Sequence, residues 1–98
     1  MPPLPELSAF RSRINDIDER LLALLGERFA VVREVAAWKA PRGVPAIIPE
    51  RIEEVQERCV ALGRSLGLSP DFVRALYTVI IDEACRLESE LMTGGTSA

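Results

Sequence analysis

Apolar residues in the N-terminal part of the chain fall at alternating intervals of three and four: Leu7, Phe10, Ile14, Ile17, Leu21 and Leu24, then Val31, Val35 and Trp38. Arg28 stands where the next apolar residue is due. This spacing predicts one long helix over 7–39 with a single apolar stripe. Gly26 is tolerable within it, and Pro41 ends the pattern. Such a helix is about 50 Å long, whereas a compact globule of this size has a radius of gyration of roughly 13 Å. One chain cannot readily cover the stripe, which predicts a homodimer in which two long helices pair.

A stiff loop follows, APRGVPAII over 40–48, with Pro41 and Pro45 restricting it and Gly43 offering the turn. Pro49 suits the first position of a second helix, with Ile52, Val55, Cys59 and Leu62 facing inward. Glu50, Glu53, Glu54 and Glu57 favour its exposed N-terminal half. This helix should stop between Gly63 and Gly67. Ser69 then caps a third helix that starts at Pro70 and carries Val73, Leu76, Ile80, Leu87 and Leu91 inward. The expected fold is therefore all-α: one long, one short and one medium helix, without strands. It is read as a single domain over 7–92, with an N-terminal extension at 1–6 and a flexible tail at 93–98.

The charges change this picture. Arg28 and Lys39 are eleven residues apart, within about 20° of each other around a helix, and Val32 and Val35 lie close to the same face. Two cations are thus set into an apolar stripe. Arg51 opens the second helix, where a helix N-terminus already favours anions. Arg11 lies about 100° around the axis from Arg28, so it faces another surface and could reach the same pocket from a partner chain. From spacing alone, these cations either converge on a ligand or pair with acids such as Glu27, Glu34 and Glu50.

The formal net charge of −3 argues against a nucleic-acid binder that depends on a basic field. There is no histidine, and Cys59 and Cys85 have no CxxC spacing, so neither a metal site nor a nucleophile–histidine pair is expected. The start, MPPLPELS, lacks the pattern of a secretory leader, and no uncharged run approaches membrane-spanning length. A cytoplasmic protein with reduced thiols, no cofactor and no membrane partner is expected.

The run LSAFRSRINDIDERLLALLGERFAVVREVAAWKA, then PERIEEVQER and LYTVIIDEACRLESELM, resembles the all-helical AroQ-type chorismate mutases across residues 7–92. The family's early Arg, its helical ERR-like Arg, the Lys ending helix one and the Arg opening helix two match Arg11, Arg28, Lys39 and Arg51. The resemblance implies an intertwined homodimer that binds a small cyclic dicarboxylate, with Arg11 supplied by the other subunit. Its reaction would be an intramolecular [3,3] rearrangement, which needs no base or nucleophile. Arg11, Arg28 and Arg51 would clamp the two carboxylates, and Lys39 would donate to the ether oxygen.

The departures are informative. Where bacterial mutases carry an acid before helix two and a Glu just after its Arg, both reading the ring hydroxyl, this chain has Ile48 and Ile52. Positions 84 and 88, often Ser and Gln, are Ala84 and Glu88. An ionised carboxylate cannot donate to the ether oxygen, so Glu88 is expected to act as a neutral acid, unless it is simply exposed and solvated. RGVPAIIPERI and LYTVIIDEACRLESELM are most similar to the 4-amino-4-deoxychorismate mutases, which share an acid at the position of Glu88. The PERI segment also resembles the isochorismate-pyruvate lyases. A non-catalytic helical dimerisation module is the alternative of another class.

Overall fold

The computed structural model describes residues 4–93. Three helices run in order, α1 (Pro5–Lys39), α2 (Pro49–Ser65) and α3 (Pro70–Met92), with a 3₁₀ turn at Ala40–Arg42 between the first two. Among the described residues there are no strands, and the fold is all-α. Helix α1 begins two residues before the first residue of the predicted stripe, because proline is comfortable in a first helical turn whose N–H groups need no partner. Pro5 and Glu6 of the expected extension are therefore helical. Of the expected tail, Thr93 closes α3 by donating its N–H to the Ser89 carbonyl at 3.1 Å, and 94–98 lie outside the described residues.

The chain divides after Val31 into two compact units. The first contains α1 as far as Val31, and no described residue in it is buried. Leu7, Phe10, Ile14, Ile17, Leu21 and Leu24 are all exposed along it. Within this unit a single helix offers no second surface against which to bury its own stripe.

The second unit, from Val32, holds the last turns of α1, the 3₁₀ turn, α2 and α3. Helices α2 and α3 pack on each other. The buried apolar residues are Ala36 of α1, Val55 and Val60 of α2, and Val73, Ile80, Ile81 and Ala84 of α3. Small residues set the helix spacing. Gly63 is buried, and a Cβ built on it would come within 2.7 Å of Val73 Cγ2.

The α2–α3 connection is closed as the sequence anticipates. Leu68 N–H donates to the Gly63 carbonyl at 2.9 Å and Gly67 N–H to the Arg64 carbonyl at 3.2 Å. Gly67 takes the left-handed conformation (φ 81°) that this double closure requires. Ser69 Oγ then accepts the Phe72 N–H at 3.3 Å, and Pro70 takes the first position of α3.

Two side chains expected inside are exposed, Leu62 at 53% and Leu76 at 40%. They line an apolar groove with Cys59, Leu66, Leu68, Val73 and Tyr77. Periodicity places a residue on a face of its helix, but it does not say whether anything covers that part of the face.

Candidate active site

Lys39 is the last residue of α1, and the chain turns sharply at once. Pro41 stiffens the 3₁₀ turn, Gly43 ends it in the left-handed region (φ 68°, ψ 21°), and Val44 N–H donates back to the Lys39 carbonyl at 3.3 Å. The turn is also tied to α1 by Arg42. Its Nη1 donates to the Trp38 carbonyl at 2.7 Å, and its guanidinium lies 4.4 Å from the centre of the half-exposed Trp38 ring, within cation–π range.

This path returns the main chain to the side chain it has just left. Lys39 Nζ donates to the Ala46 carbonyl at 3.2 Å and to Glu88 Oε1 at 2.8 Å. The two charged side chains are only 12% and 11% exposed. Glu88 reaches this position because α3 carries Ile81, Ala84 and Glu88 on one buried face, at intervals of three and four. A buried charge is tolerable only when it is paired and hydrogen-bonded, and here each charge serves the other. Glu88 is thus neither exposed nor solvated, and Lys39 pairs with an acid distant in sequence instead of Glu34 or Glu50.

The other sequence-derived positions fall as follows. Ala84 is buried one turn before Glu88. Ile48 sits at the N-cap of α2, where its carbonyl accepts the N–H groups of Arg51 at 3.0 Å and Ile52 at 3.2 Å. Ile48 and Ile52 are both half-buried. Arg51 is exposed and donates through Nη1 to the equally exposed Glu54 carboxylate, one turn along α2. Arg11 and Arg28 belong to the first unit, Arg11 exposed and Arg28 half-buried. The structure therefore joins Lys39 to Glu88 with Ala84 a turn away, and it leaves Arg51 on the surface with Glu54.

Sequence reasoning missed the Ala46 carbonyl, since a main-chain acceptor leaves no mark on residue type. It also missed the Arg42–Trp38 contact, for which the i, i+4 spacing of a cation and an aromatic was an available signal. Close to Glu88, the Cys85 thiol is pushed up from its ordinary value, first by burial and then by the negative charges of Glu88 and Asp82, with Lys39 opposing. Cys59 and Cys85 are both free. Among the described residues no group of His, Cys, Asp and Glu is placed to hold a metal ion, and no helix is long and apolar enough to cross a membrane.

The chain is thus all-α, with Lys39 at the end of its long first helix ion-paired to Glu88 on its third. Residues 10–89 match the family chorismate mutase type II, and the chain belongs to that family. Like the members of that family, it is an isomerase.

Among characterised proteins it is similar to the 4-amino-4-deoxychorismate mutase of Streptomyces pristinaespiralis, at 34% identity over 89 residues, covering 91% of this chain and 69% of the relative. It is also similar to the enzyme of the same name from Streptomyces venezuelae, at 33% identity over 88 residues, covering 90% of this chain and 85% of the relative. The bifunctional chorismate mutase/prephenate dehydratase of Escherichia coli is 31% identical over 86 residues, which cover 88% of this chain but only 22% of that longer protein.

Proposed function

We propose that this chain rearranges 4-amino-4-deoxychorismate, in preference to chorismate, to the corresponding prephenate. The ether C–O bond breaks as a new C–C bond forms within one molecule, so the protein need supply neither base nor nucleophile. Its work is to hold the substrate folded and to stabilise the charge that grows on the ether oxygen. Lys39 donates to that oxygen. Arg28 and Arg51, with Arg11 from a second subunit, bind the two carboxylates in the forked geometry that suits guanidinium.

The observation that carries this reading is the buried Lys39–Glu88 pair. Glu88 accepts from the Lys39 ammonium at 2.8 Å and so holds it at the site. Glu88→Gln, which keeps an acceptor oxygen for that ammonium, should lower turnover less than Glu88→Ala, and equal losses would reject this role.

Support for the amino substrate comes from two directions. Ile48 and Ile52 offer no hydrogen bond to a ring hydroxyl at the start of α2, and two of the relatives named above are 4-amino-4-deoxychorismate mutases. Support for a homodimer is the exposed apolar stripe of α1. The free thiols fit a reducing compartment, and we infer the cytoplasm.

The test is to incubate the protein separately with chorismate, 4-amino-4-deoxychorismate and isochorismate, and to identify the products. Faster formation of the amino prephenate is the expected result. Faster turnover of chorismate would reverse the substrate assignment, and free pyruvate from isochorismate would replace the mutase with a lyase. No turnover, together with no saturable binding of the dicarboxylates, would leave a dimerisation module.

A further inference from the structure

Lys39 is the only lysine in the chain; the other basic side chains are all arginines. Lysine is a flexible point donor, with about 2 kcal/mol of rotamer entropy to lose when it is fixed. Its bond to Glu88 fixes a distance but leaves the ammonium free to swing about the carboxylate. The bond to the Ala46 carbonyl removes that freedom, because the acceptor is main chain and cannot follow. With two of three ammonium protons engaged by these acceptors, the third is held in one direction.

What fixes Ala46 is the turn. Gly43 is left-handed, with open space where a Cβ would be, so glycine is required there by the backbone and not by crowding. Pro45 restricts the chain immediately before Ala46.

We propose that the turn Gly43–Ala46 is a positioning element for the rearrangement: the left-handed Gly43 aims the Ala46 carbonyl at Lys39, which leaves one ammonium proton oriented for the substrate. This rests on the reading of Lys39 as donor to the ether oxygen. Gly43 is accordingly a positioning residue, acting through Lys39.

The test uses the full chain with ¹⁵N-labelled lysine, which gives a single side-chain ammonium resonance because there is one lysine. In the native chain its protons should exchange slowly with water. Gly43→Ala should speed that exchange and lower kcat by about tenfold, with KM changed by less than about twofold. Gly43→Asn, which tolerates the left-handed region, should restore both. Pro45→Ala forces no backbone angle and is the second variant, expected to lower kcat by about two- to fivefold with the same loosening of the ammonium.

Native exchange and turnover in both Gly43→Ala and Pro45→Ala would overturn the proposal, as would a Gly43→Asn protein no better than Gly43→Ala. The ammonium measurement needs no substrate, so it separates the two ideas. Undiminished turnover in Lys39→Ala would remove Lys39 as donor, whereas unchanged ammonium exchange in the turn variants would remove only the turn.

Discussion

Removing the carboxylate of Glu88 should expose how much the second unit depends on its central ion pair. At 2.8 Å, two unit charges in an effective dielectric of about 20 attract by about 6 kcal/mol, and much of this offsets the desolvation of both groups. The net worth of the pair is therefore small, but the cost of breaking it is not. In Glu88→Ala the Lys39 ammonium stays almost buried with Ala46 as its remaining acceptor, and removing one partner of such a pair costs about 3–5 kcal/mol. The small residual exposure of both side chains, 12% and 11%, favours the lower figure, about 3 kcal/mol. Glu88→Gln keeps an oxygen for the ammonium and should lose roughly half as much. Urea denaturation at fixed protomer concentration measures both. With a slope of about 2 kcal/mol per molar, Glu88→Ala should lower the midpoint by about 1.5 M and Glu88→Gln by about half that. Equal losses in the two variants, or a Glu88→Ala shift below about 0.3 M, would refute the claim that a buried charge is being stranded.

Gly63→Ala places a methyl 2.7 Å from Val73 Cγ2; overpacking of about 1–3 kcal/mol should exceed the helix-propensity gain of up to about 1 kcal/mol. Adding Val73→Ala should cost less in the Gly63→Ala background than in the native one, which a double-mutant cycle on urea midpoints reads directly. Lys39→Ala should lower kcat by about 10²–10³ with a smaller effect on KM, measured by steady-state kinetics on the preferred substrate. Burial raises the Cys85 thiol, so at a given pH less of it is thiolate and alkylation should be slower than for an exposed thiol. Glu88→Gln removes the second cause of that rise, and faster Cys85 alkylation in a Cys59→Ser background, followed by peptide mass, is the expected result.

The helix boundaries were legible where proline and serine mark them. Pro49 and Pro70 each open a helix, Ser69 caps the second of these, and Gly67 closes the turn before it. Burial was less so. Val55, Val73 and Ile80 are inside as their spacing predicts, but Leu62 and Leu76 are not, since a stripe records a face and says nothing of its cover. Lys39 and Glu88 could each be picked out from the resemblance, yet their contact spans 49 positions, a separation on which local pattern has no hold. Arg51 shows the reverse case: its place at the start of α2 was readable, and its pairing with Glu54 follows from i, i+3 proximity alone. The Ala46 carbonyl was beyond any reading by residue type, because every residue carries that group.

A protein with a single lysine is an unusual subject for amine chemistry. Apart from a chain terminus, acylating reagents, amine crosslinkers and resin couplings have one place to react, and it is the group assigned here to the ether oxygen. Acylating Lys39 should therefore silence this chain in proportion to the Lys39 modified, and a bound dianion should guard it. Attachment through Cys59 or a terminus would leave the ammonium intact.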